Sequence, residues 1–167
     1  ISIVGLPDNA VSEAKERIRS AVKNSGFTFP RGRVVINLAP ADIKKEGTYF
    51  DLPMAVGILL EEGLIEAESI KNCAFIGELS LDGSLSGVHG ILPLVSELEN
   101  KEIKTIFVPQ ENAKEAALTG GGNIIGINHL RDIVSHFTDS PIPPTKVDVQ
   151  KYLDTQENEY IYDFKDV

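Results

Sequence analysis

The 167 residues are enough for one domain, and Leu, Ile, Val and Phe make up close to a third of them, which excludes disorder for the bulk of the chain. The net charge of −9 leaves no broad basic surface for a long phosphate footprint, so any nucleic-acid contact is expected to be local or supplied by another chain or domain. One cysteine, Cys73, excludes an internal disulfide framework or a cysteine-rich zinc site and fits a reducing cytoplasm, and the longest apolar run, Leu52 to Leu60, is too short to span a bilayer.

Ile1 to Val4 is a β-branched run with no turn, cap or initiator before it, and it predicts a strand of a chain that continues upstream. Asp8 or Asn9 can cap a helix over 10–24, where Val11, Ala14, Ile18, Ala21 and Val22 form the buried stripe and Gly26 ends it. A strand is expected over 33–38, ended by Pro40, then a polar loop over 41–49. Asp51 is positioned to cap a helix over 52–60, with Pro53 in the first turn, where its missing amide costs nothing; apolar residues on both faces predict a central, buried helix. Segments 72–76 and 78–81 read as strands, and Asp82-Gly83 predicts a hairpin with a return strand over 85–88. Helices over 92–99, 111–118 and 130–137 alternate with strands over 104–108 and 123–127. The whole predicts an α/β or α+β domain with a mixed sheet and packed helices, over residues 1–138. Three prolines within 139–144 and an acidic tail predict a linker or docking arm over 139–167. Tyr152, Tyr160, Tyr162 and Phe164 give that arm something to bury.

Motifs for chemistry are sparse. No GxxxxGK[ST] loop occurs, and Gly120-Gly121-Gly122 precedes a strand rather than a helix, so it reads as a turn. His89, His129 and His136 lack metal-ligand spacing; His89 reads as an exposed loop residue and His136 as a cation suited to a helix C-terminus. Cys73 reads as a buried small hydrophobe, and Ser80, Ser84 and Ser86 have no GxSxG elbow. No metal site and no catalytic group is assigned. Two basic pairs, Arg31 with Arg33 and Lys44 with Lys45, are the candidates for contact with a nucleic acid or a partner, against the alternative of a solvated rim.

The run Asn37-Leu-Ala-Pro-Ala-Asp-Ile-Lys-Lys-Glu-Gly-Thr-Tyr-Phe-Asp-Leu-Pro-Met-Ala-Val-Gly-Ile-Leu59 resembles the magnesium-chelatase-like AAA+ ATPases of the YifB/ComM type. The opening Ser2 to Arg17 and the stretch Gly77 to Gly83 resemble the same family in the same order, over residues 1 to about 137. The resemblance implies an N-terminal domain similar to Lon peptidase domains, with the ribosomal protein S5 domain 2-like fold, preceded by a further strand. Asp163 to Val167 resembles the junction before the ATPase module. For the intact protein it implies ATP and magnesium as cofactors, a homohexamer built through its own AAA+ domain, and, as in relatives of the ComM kind, DNA remodelling by branch migration during uptake of foreign DNA. No membrane association is implied.

Lon-type peptidases need a serine nucleophile and a lysine that takes its proton. The resemblance places Tyr49 at the serine position and Leu92 at the lysine position. The expected function is therefore a non-catalytic regulatory, substrate-engaging or assembly domain of an ATP-driven motor, with a Lon-type peptidase or other hydrolase as the alternative.

Overall fold

The computed structural model describes residues 1–5, 8–40, 48–101 and 103–148. The elements in chain order are β1 (Ser2–Val4), α1 (Asp8–Asn24), β2 (Val35–Asn37), α2 (Asp51–Glu61), β3 (Cys73–Phe75), β4 (Glu78–Leu79), β5 (Leu85–Ser86), α3 (Ile91–Asn100), β6 (Thr105–Pro109), α4 (Ala113–Ala116), β7 (Asn123–Ile127) and α5 (Leu130–Thr138). The class is mixed α/β, as the alternation of periods predicts: β3, β6 and β7 form a parallel sheet with β6 central, β1 and β2 pair in parallel, and β4 and β5 form the antiparallel hairpin.

The parallel sheet is covered on both faces, and the side-chain alternation of its strands assigns each face. Ile106, Val108 and Ile124 point into a cluster with Ile91 and Val95 of α3 and Ala113 and Ala116 of α4. Phe107, Ile125 and Ile127 point the other way, into the larger cluster built by α1, α2 and α5. Phe107 is its aromatic hub: its ring stacks on Phe75 at 4.8 Å and takes His136 edge-on at 5.0 Å. Helix α2 is the central buried helix its apolar sequence predicts, with Leu52, Ala55 and Leu59 fully enclosed.

The hairpin is tied to the end of β7: Leu85 N–H donates to Asn128 C=O at 2.8 Å and Leu130 N–H to Gly83 C=O at 2.8 Å. Gly83 has φ +92° with the His129 ring packed against it; a Cβ there would stand 2.7 Å from the ring, so the turn admits no other residue without displacement.

Two expectations are corrected. The helix expected over 111–118 is reduced to the four residues of α4 between 3₁₀ turns at Gln110–Asn112 and Ala117–Thr119. The cause is Asn112: its side chain accepts from Val88 N–H (2.8 Å) and donates to Val88 C=O (2.9 Å), a strand-like pairing that holds the turn in place. Asp51 does not cap α2, because it is the first helical residue, follows Phe50 as N-cap, and turns its carboxylate elsewhere.

Beyond α5, Ile142 N–H donates to His136 Nδ1 (3.0 Å) and Thr145 N–H to Ile124 C=O (2.7 Å), which lays the proline-containing segment along β7. The four aromatics of the acidic arm lie outside the described residues.

Candidate functional site

The segment entering α2 is fixed by backbone bonds to the β3–β4 connection: Gly77 N–H donates to Tyr49 C=O (3.4 Å) and Leu52 N–H to Gly77 C=O (3.2 Å). That connection brings Tyr49 against the α3 side of the molecule, where its ring packs on the smaller core and its hydroxyl donates to His89 C=O at 3.3 Å. Leu92 stands in the first turn of α3, 38% exposed. Tyr49 and Leu92, the two positions singled out from the sequence by resemblance, are thus carried to one region, with His89, which Tyr49 touches, three residues before Leu92. They hold a phenol engaged with a carbonyl and an aliphatic side chain. The hydroxyl of the preceding residue, Thr48 Oγ1, donates to the Glu78 carboxylate.

Beneath this segment lies an ion pair. Arg17 Nε donates to Asp51 Oδ2 at 2.7 Å and Nη2 to Oδ1 at 3.3 Å, a forked contact between α1 and α2. The Asp51 side chain is 2% exposed and that of Arg17 21%. Burial pushes the Asp51 carboxyl above its ordinary range, against the hydrogen bond from Arg17, which pulls it down; the hydrogen bond to Asp51 in turn raises Arg17 further. Arg17 is one residue before the buried Ile18, at the margin of the α1 stripe. An acidic residue opening an otherwise apolar helix was the one sequence signal of this pair; its partner 34 residues earlier was not visible from spacing.

Arg31 and Arg33 are exposed on the segment leading into β2, and among the described residues neither forms an ion pair. They help to line a groove of about 1030 Å³ between β2 and α2. Lys44 and Lys45, the second candidate pair, lie outside the described residues. Gly57 on α2 faces the groove and has no atom within 4 Å of where a Cβ would stand. A glycine inside so apolar a helix was a legible signal for this opening.

The remaining candidates have structural work. His129 is the N-cap of α5: Nδ1 accepts from Arg131 N–H (3.1 Å), so Nε2 carries the proton donated to Asp82 C=O (3.1 Å), and Asp132 Oδ2 completes the cap by accepting from His129 N–H (2.9 Å). His136 is corrected from cation to neutral acceptor, since burial pushes its pKa down and Nδ1 receives the Ile142 amide. His89 is exposed, as expected. Cys73 is half-buried with its thiol pushed up by burial, which suits a small hydrophobe and not a nucleophile. The Gly120 to Gly122 turn receives the Glu99 carboxylate, which stands 2.6 Å from where a Gly121 Cβ would be; an anion-binding loop would not seat an acid there. Ser84 Oγ is engaged with Asp82 Oδ1 at 2.7 Å. Among the described residues no group of His, Cys, Asp or Glu could hold a metal ion, and no helix is long and apolar enough to cross a membrane.

Comparison with known proteins bears on the same segments. The family described as subunit ChlI of Mg-chelatase matches residues 1–112. The competence protein ComM of Haemophilus influenzae is 38% identical over 90% of this chain and 29% of its own length, and the uncharacterized protein YifB of Escherichia coli is 36% identical over 88% and 30%. A Lon protease of Chlamydia pneumoniae is more distantly similar, 25% identical over 65% of this chain and 14% of the protease. The chain spans about three tenths of the length of the ComM and YifB relatives. With the match extending from β1 through the loop before α2, α2 itself and the hairpin to the turn that precedes α4, the chain belongs to the Mg-chelatase subunit ChlI family.

Proposed function

We propose that this chain is a non-catalytic module, regulatory, substrate-engaging or assembly-forming, of a Mg-chelatase-like AAA+ ATPase. The observation that supports this reading is the bond of Tyr49 to His89 C=O: at the two positions to which the Lon resemblance points, a phenol bound to a backbone carbonyl and a leucine supply neither nucleophile nor base. Residues 1–138 act as the module and 139–167 lead to the ATPase domain. The intact protein binds ATP and magnesium, assembles as a cytoplasmic homohexamer, and uses hydrolysis to remodel DNA, with Arg31, Arg33, Lys44 and Lys45 as the candidates for contact with a nucleic acid or a partner. The printed name of the ComM relative, a competence protein, supports a connection with DNA.

The test is ATP hydrolysis by the full-length protein with and without branched DNA, repeated after removal of residues 1–138. The expected outcome is ATPase activity that survives the deletion but loses its response to DNA. Cleavage of casein by the full-length protein, abolished by Tyr49→Phe, would overturn the non-catalytic reading in favour of a hydrolase.

A further inference from the structure

Strand β2 leaves one edge open. Val34 C=O accepts from Ser2 N–H at 2.8 Å and Leu38 N–H donates to Val4 C=O at 2.9 Å, so Val34, Ile36 and Leu38 direct their peptide groups at β1. By the alternation of a strand, the N–H and C=O groups of Val35 and Asn37 point the other way, and among the described residues nothing pairs with them. Val35 is 56% exposed, which is unusual for a valine in a paired strand. The groove between this edge and α2 runs from Phe50 to Glu61, about 17 Å at the helical rise, or about five residues of extended chain. Its floor is apolar, with Met54 and Ile58, and Gly57 keeps it open.

We infer that the groove takes an extended polypeptide segment, added as a strand to the free edge of β2, with apolar side chains over Met54 and Ile58 and an acidic side chain against Arg31 and Arg33. An unpaired row of alternating donors and acceptors is matched by another peptide backbone. A nucleic-acid strand offers no such row, and Glu61 and Glu62 also line the groove. The acidic preference follows from Arg31 and Arg33 forming no described ion pair, so that a single carboxylate can meet them, whereas a continuous run of phosphates would also have to pass Glu61 and Glu62. This inference goes beyond the module reading and stands whether or not the intact protein moves DNA.

The experiment is fluorescence anisotropy of this chain with a labelled ten-residue peptide of alternating valine and glutamate. Saturable binding is expected, weakened at least tenfold when alternate peptide nitrogens of the probe are methylated, and at least tenfold by Gly57→Leu, which fills the groove from a helix position that tolerates a side chain. Gly57→Ala is the folding control: it stiffens the helix without closing the groove and keeps binding within twofold. The double variant Arg31→Glu, Arg33→Glu is expected to shift preference to a valine-lysine probe. No binding, or binding unchanged within twofold by methylation or by Gly57→Leu with far-UV circular dichroism intact, overturns the inference. So does Gly57-dependent binding of a single-stranded octanucleotide in place of the peptide, or Gly57-dependent self-association in sedimentation, which would make the occupant a second copy.

Discussion

Helix α2 meets its surroundings in two opposite ways. At its first turn Asp51 is enclosed and forked to Arg17, and Thr48 is bonded to Glu78, so every charged or polar group there has a partner. Along its outer face, two turns later, Gly57 looks into an open groove whose arginines form no described ion pair and whose neighbouring strand has no described partner on that side. The same side-chain chemistry serves stability in one place and remains available in the other. What separates them is burial: an arginine beside an enclosed carboxylate is held by the cost of leaving that charge unpaired, whereas an exposed arginine loses little by waiting in water.

The sharpest way to break that contrast is to remove one arginine from each region. Arg17→Ala leaves Asp51 buried without its partner and is expected to destabilise the fold by roughly 3 kcal/mol in urea denaturation. Arg31→Ala or Arg33→Ala should stay within about 0.5 kcal/mol, as an exposed substitution does. Equal effects would mean that Arg17 is not the structural arginine. Next in size is Gly57→Ala, expected to raise stability by about 1 kcal/mol because a mid-helix glycine is replaced at an open position; a loss of stability would show that the groove is closed in solution.

A smaller effect probes the segment after α5. The fold holds His136 below its ordinary pKa of 6.5, so the folded chain binds fewer protons than the unfolded one. Stability from this group is fully present above about pH 6.5 and is lost as pH falls through the folded value. Protonation also removes the acceptor for Ile142 N–H, so that amide should exchange faster with solvent at pH 5 than the neutral-pH rate corrected for intrinsic exchange predicts. His136→Asn, which keeps an acceptor but not the titration, should flatten this dependence. An unchanged slope in that variant would assign it to another group.

Much of this was legible in advance because the signals were local. The apolar stripe of Ala14, Ile18, Ala21 and Val22 located α1, the unbroken run after Asp51 located the buried α2, and Asp82-Gly83 located the hairpin. The long segment from Asn37 to Leu59 pointed to the family that the comparisons show. Errors fell where a side chain was claimed by something distant. Asp51 read as a cap because a carboxylate at a helix start usually is one, and Asn112 read as part of a helix because its pairing with Val88 lies 24 residues away. His136 read as a cation because its sequence position favours one, while the rings of Phe107 and Phe137 around it favour the neutral form.

The candidate site divides in the same way. Sequence named Arg31 and Arg33, and placed Tyr49 and Leu92 by resemblance; it could not say that Tyr49 and His89 would touch, or that β2 would keep an open edge beside a gap at Gly57. By itself the sequence determined the element order, the class of fold and the family, since periodicity, turn chemistry and long matched segments act through neighbours along the chain. Only the tertiary structure decided which charges are paired, which histidine is neutral and which strand edge stays exposed, because desolvation and hydrogen-bond partners depend on what the fold brings alongside, however far away it lies in sequence.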